Sequence, residues 1–198
     1  MSVRIIVPHR GLAAAKTRLA PVLDDAEREA LARRLLERVL RVAHEACGDV
    51  VVITPSEALQ AQVSAAGARL VVQRGMGLNA GLEQARREAL GDGIDSLLVL
   101  HGDLPNLGAD DIAALLAAVP QPGGVAIAPD RTGSGTNALA LRPPDAIGFR
   151  FGVGSFDAHR AEAEAAGVAL AEVHRPGLAF DLDTPEDLAR WIERGDAA

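Results

Sequence analysis

Leu97-Leu98-Val99-Leu100-His101-Gly102-Asp103-Leu104-Pro105 is the stretch that decides how this chain folds. Four apolar residues in succession, without polar alternation, read as a strand buried on both faces. A carboxylate follows almost at once. The same signature recurs on either side: Val3-Arg4-Ile5-Ile6-Val7 ended by Pro8, Val50-Val51-Val52-Ile53, Leu70-Val71-Val72, Val125-Ala126-Ile127-Ala128, Ala138-Leu139-Ala140-Leu141 and a short strand near residues 168–173. Helical periodicity fills the gaps. Asp24 and Asp25 cap a helix that carries Leu31, Leu35, Val39 and Val42 on one stripe and stops near Gly48. Further helices are predicted over 56–66, 79–90, 110–119, 155–166 and 184–193. Apolar strands alternating with helices predict an α/β fold: a mostly parallel twisted sheet with helices on both faces. Ligands of such sheets sit beyond the carboxyl ends of the strands, so the residues just after each strand carry the functional reading.

Composition narrows the classes. The chain has 198 residues, a length that suits one domain spanning 1–198. Hydrophobic residues make up 48% and charged residues 24%, which excludes a disordered chain. No apolar run approaches the roughly 18 residues of a membrane span. Met1-Ser2-Val3-Arg4 leads into the first strand without a targeting signal, so a cytoplasmic location is expected. One cysteine, Cys47, permits neither an internal disulfide nor a multi-thiolate zinc site, and it reads as inert packing. A net charge of -7 argues against nucleic acid as a partner, and 3% aromatics with no Tyr leave little to stack bases on. A charged small molecule held with a metal ion remains. A homodimer is compatible with the sequence, but nothing in it demands one.

Four segments stand out. Pro8 to Leu19 joins small residues to Arg10, Lys16 and Arg18, and cations beside free backbone N–H groups suit a polyphosphate. It is neither a Walker loop nor G-x-G-x-x-G. Asp103, directly after a buried strand, can hold Mg²⁺, a hard cation that takes oxygen ligands; a turn or capping role is the plainer alternative. Asp181 and Asp183 alternate on an extended segment and point to one side, where two carboxylates repel unless a cation joins them. Thr184, Pro185 and Asp187 that follow are a helix start. Ala128 to Leu139 contains a Gly-rich, anion-friendly loop around Gly133 and Gly135, and Ser155 opens a helix whose first N–H groups suit an anion. Asn79, before another helix, could touch a nucleoside or only cap. His159 falls one turn into its helix and could face either way. No Ser-His-Asp arrangement or G-x-S-x-G occurs.

Taken in order, Ala15-Lys16-Thr17-Arg18-Leu19, Gly77-Leu78-Asn79, Gly102-Asp103-Leu104-Pro105, the run from Ala128 to Leu139, Phe149 to Phe156 and Asp181-Leu182-Asp183-Thr184-Pro185 make the chain resemble the CofC/FbiD-type guanylyltransferases of coenzyme F-420 biosynthesis. The match covers roughly residues 3 to 192. The resemblance implies a MobA-like nucleotidyltransferase fold of the GT-A type. It implies transfer of GMP from GTP to 2-phospho-L-lactate, phosphoenolpyruvate or 3-phosphoglycerate, with release of pyrophosphate. Carried over residue by residue, it makes Asp103, Asp181 and Asp183 the Mg²⁺ ligands. Arg10, Lys16, Arg18 and Asn79 fall on the nucleotide side. Thr136, Gly152 and Ser155 become contacts of the acid. Lys16 and Asp103 are then the expected catalytic residues. His9 and Ser134 stand where relatives commonly differ. A glycosyltransferase of the same broad fold is the main rival, since a related group shares the run Lys16 to Pro21; it lacks the run from Ala128 to Leu139.

Overall fold

The computed structural model describes residues 2–12 and 15–193; Ala13 and Ala14 of the basic loop, Met1 and residues 194–198 lie outside the described residues. Seven strands form one sheet: β1 (Val3–Pro8), β2 (Val50–Thr54), β3 (Arg69–Val72), β4 (Ser96–Leu100), β5 (Gly124–Pro129), β6 (Thr136–Arg142) and β7 (Leu170–Glu172). Their order is β3-β2-β1-β4-β6-β5-β7. Pairing is parallel except along β6, which runs antiparallel to both β4 and β5. The helices are α1 (Asp25–Cys47), α2 (Gln60–Ala65), α3 (Leu78–Gly91), α4 (Ala109–Ala117), α5 (Ser155–Ala165), α6 (Pro176–Ala179) and α7 (Pro185–Glu193). The predicted α/β sheet with helices on both faces is what the chain forms. Of these helices only α6 goes beyond the sequence reading, since its four residues carry no periodicity.

The apolar runs are buried as their composition requires. Every residue of β2 and β4 is buried. One core cluster joins Leu36, Val39 and Leu40 of α1 and Ile112 and Leu115 of α4 to Ile5, Val7, Leu98 and Leu100. The other packs Leu82 and Ala85 of α3 and Phe156 of α5 on Ile6, Leu97, Val99 and Leu139. Period-two alternation on the strands divides the side chains between these two faces. A third, smaller cluster gathers Leu19, Leu31, Leu35, Leu182 and Trp191. It anchors α7 and the segment before it against α1. The α1 start is fixed by a reciprocal cap, Asp24 accepting from the Glu27 N–H and Glu27 from that of Asp24, each at 2.8 Å.

One irregularity positions the site. Ala128 pairs with Ala138, but Pro129 pairs with Thr136, so Asn137 is an extra residue on β6. A β-bulge of this kind reverses the alternation beyond it. Ala138 faces the α1 side and Leu139 the α5 side. Thr136 consequently turns toward α5 and Asn137 toward α6, opposite to what unbroken alternation would give.

Candidate active site

The carboxyl ends of β1 and β4 and the beginning of β6 share one rim of the sheet. Lys16 rises from the loop after β1 in a left-handed conformation, φ 55° and ψ 32°, the one described non-glycine residue with positive φ. Such a backbone is strained for a residue with a Cβ and marks a geometry held by its surroundings. Here the ammonium holds it: Lys16 Nζ donates to Asp103 Oδ2 at 2.7 Å and to Asp183 Oδ1 at 3.0 Å. The Lys16 side chain is only 6% exposed. Arg18, largely exposed, lies 3.8 Å from Asp183. Arg10 is exposed at the start of the same loop.

Asp103 and the Asp181–Asp183 segment are tied through backbone, the Leu182 N–H donating to the Asp103 carbonyl at 3.1 Å. Leu182 itself is fully buried in the third cluster, which leaves the two flanking carboxylates on the other side of the extended chain. Asn137 Nδ2 donates to the carbonyl of Leu178 at 2.9 Å and reaches Asp181 Oδ1 at 3.4 Å. Asp187 accepts from the Thr184 N–H and hydroxyl and from the Asp183 N–H, the expected helix start. Its other oxygen takes Arg131 Nη1 at 2.5 Å, so the hairpin loop after β5 is pinned to α7.

The electrostatics of the carboxylates are uneven. Burial alone would raise the Asp103 pKa, but the Lys16 ammonium outweighs it and holds this carboxyl below its ordinary range. Asp181 is pushed up, first by burial and then by the charges of Asp103 and Asp183. Lys16 is held above its ordinary value, the two carboxylates overcoming its own burial. Lys16 thus joins two of the three carboxylates, and Asp181 takes Asn137 instead. Asp103 Oδ1 is buried without a hydrogen-bond partner, an unspent oxygen donor. As they stand, no three His, Cys, Asp or Glu side chains among the described residues are gathered as a ready metal cage, and Lys16 is what joins Asp103 to Asp183. The donor set nevertheless fits a hard divalent cation: oxygen ligands only, an excess of negative charge and a free buried lone pair.

Beside this cluster lies a second, neutral one. Ser155 Oγ donates to Thr136 Oγ1 at 3.2 Å, and Thr136 Oγ1 is 3.1 Å from His159 Nδ1. All three residues are buried. The Ser155 N–H donates to the Gly152 carbonyl at 3.2 Å. Gly152 and Gly154 have φ of 141° and 69°, values that L side chains rarely adopt, so this tight turn requires glycine. Asn79, expected on the nucleotide side, pairs with the Phe151 backbone. Its Nδ2 donates to the Phe151 carbonyl and its Oδ1 accepts the Phe151 N–H, both at 3.0 Å. The Gly-rich loop differs from its sequence reading as well. Its Thr132 and Ser134 N–H groups both donate to Asp130 Oδ1 at 3.0 Å, so the anion it cradles is its own carboxylate.

Sequence reasoning thus found both clusters and missed what links them. Asn137 lay inside a quoted run but carried no signal, because the bulge that turns it toward Asp181 has none. His159 could not be oriented until α5 was placed on the sheet.

The model of the family described as "Guanylyl transferase CofC like" matches residues 3–198. The chain belongs to this guanylyl transferase family. Among its relatives, the phosphoenolpyruvate guanylyltransferase of Sphaerobacter thermophilus is 46% identical over 190 residues, covering 95% of this chain and 91% of that protein. The 3-phospho-D-glycerate guanylyltransferase of Phenylobacterium zucineum is 39% identical over 199 residues, covering 96% and 89%. The fold is shared with a solved chain from Desulfovibrio desulfuricans G20, described as a nucleotide-diphospho-sugar transferase, at a TM-score of 0.81 and 22% identity over 100% of this chain and 89% of that one. The CofC-like chain is therefore a guanylyltransferase, a nucleotidyltransferase by reaction type, and the glycosyltransferase alternative falls.

Proposed function

We propose that this guanylyltransferase takes GTP and Mg²⁺ as nucleotide and cofactor. Its acceptor is a small phosphorylated acid: phosphoenolpyruvate, 3-phosphoglycerate or 2-phospho-L-lactate. The observation that carries the reading is the juxtaposition on one rim: Lys16 paired with Asp103 and Asp183 on one side, the Thr136–Ser155 hydroxyls on the other, and between them the Thr136–Asn137 step, whose amide reaches Asp181.

The attacking atom is a phosphate oxygen of the acid. It is already anionic near neutral pH, so no general base is needed. It bonds to the α-phosphorus, and the bond from that phosphorus to the bridging oxygen breaks to release pyrophosphate. The difficulty is bringing two anions together. Lys16, Arg18 and Arg10 neutralise the triphosphate and the departing pyrophosphate. Thr136, Ser155 and the Gly152 backbone position the acid. Asn79 serves the site by holding the Phe151 loop. Asp103, Asp181 and Asp183 would hold Mg²⁺, which supplies charge shielding and alignment of the reacting phosphates.

The test incubates the protein with GTP, Mg²⁺ and each of the three acids in turn and measures pyrophosphate. One acid should give GTP-dependent release that stops on chelation. Release of free nucleoside diphosphate, or none with any acid, would overturn the reading.

A further inference from the structure

The ring of His159 is fully buried and fixed from both sides. The Arg150 backbone N–H, which can only donate, meets Nε2 at 2.9 Å. Nε2 must therefore present its lone pair. Burial pushes the imidazole pKa down to about 4, so near neutral pH the ring carries one proton, and that proton is on Nδ1. Nδ1 is the atom 3.1 Å from Thr136 Oγ1. A nitrogen that already bears hydrogen cannot accept one, so the Thr136 hydroxyl has no outlet toward His159. Thr136 and Ser155 hold two hydroxyl protons between them, and their single mutual contact at 3.2 Å uses one. Whichever hydroxyl donates to the other, one proton is left over.

We propose that His159 is a positioning residue that fixes the Thr136–Ser155 pair as a hydrogen-bond donor toward an anionic oxygen of the acid acceptor. The inference rests on the reading that this pair faces the acid. In the opposite tautomer, Thr136 would spend its proton on the ring and the pair would offer the anion a lone pair. The Phe151 ring, edge-on to His159 with centroids 4.7 Å apart, closes the remaining side and keeps the imidazole from rotating.

Two measurements test this. The first is nitrogen-resolved NMR of the histidines in the substrate-free protein at neutral pH. His159 should show a protonated Nδ1 and a bare Nε2; the reverse tautomer, or an imidazolium, overturns the proposal. The second is kinetic. His159→Phe should raise the acceptor KM about tenfold, the scale of one hydrogen bond to a charged group, with the GTP KM little moved. His159→Asn keeps an N–H donor near the Nδ1 position and should recover most of that loss. Equal losses in both variants, spread over both KM values, would make the role merely structural and defeat the proposal. Should His159→Phe fail to fold, the NMR result decides alone. Wild-type protein that releases no pyrophosphate with any acid overturns the function reading and the acceptor half of this one; the tautomer is read without substrate.

Discussion

Lys16 sits where a cation is needed and is itself the cation. Its ammonium bridges Asp103 and Asp183, and its backbone is held in a left-handed conformation to do so. Removing either carboxylate takes an oxygen from the charge-bearing cluster. Asp103→Ala and Asp183→Ala should each lower kcat by about 10²-fold or more, the scale of a lost electrostatic group, measured as pyrophosphate release from GTP. Circular dichroism should report an intact fold. Asp181 behaves differently. Its neighbours' charges and its burial disfavour ionisation, so Asp181→Asn relieves repulsion. It should raise the melting temperature of the metal-free protein while activity is lost; a lower melting temperature would contradict the repulsion argued for this residue. Ser155→Ala should raise the acceptor KM more than that of GTP, and the reverse pattern would move Ser155 to the nucleotide side. Asp103 was legible as a candidate because it stands just past a buried strand, where ligands of such sheets bind, although a turn role read more plainly. Asn79 was legible only as a position: a lone amide before a helix can cap, clamp or bind, and the structure shows it paired with the Phe151 backbone.

Among the elements, β6 carries the most functional consequence. Its apolar middle, Ala138 to Leu141, is plain in the sequence. Its first two residues are not, because the extra residue at Asn137 arises from pairing with Pro129, a partner that local sequence cannot specify. Deleting Asn137 would restore regular alternation and turn Thr136 away from Ser155. The deletion should retain the sheet yet reduce kcat/KM by about 10²-fold, as displacement of a positioning group does. The helices were more legible than the strand ends, since capping chemistry is local. Asp24 caps α1 as read, with Glu27 returning the bond, and Thr184 with Asp187 forms the helix start its sequence shows. The short α6 was invisible because its position is set by packing: Leu178 is buried under the sheet and its carbonyl takes Asn137.

Across the whole molecule, acid sensitivity follows from two histidines on opposite flanks of the rim. His9 and His159 are both held to about 4, in each case by burial first. The unfolded chain protonates each near pH 6.5, the folded chain only near 4. Between these values the unfolded state binds more protons, so stability rises with pH and falls on acidification from about 6.5 to 4. For the fully buried His159 this amounts to about 3 kcal/mol across the window. Denaturant midpoints measured at pH 7 and pH 4.5 should differ accordingly, and His159→Asn should reduce the difference, leaving the share carried by His9. Thr136 opens β6 and Asp103 lies in the turn just after β4; the two strands are direct neighbours, with Leu100 opposite Ala138. On the proposed function, the spacing of nucleotide and acid is built out from the sheet's ladder, with rungs roughly 4.8 Å apart, through the short turn that carries Asp103. Under that proposal, turns farther from the ladder can vary without resetting the spacing, so related chains would take different small acids at one distance of attack.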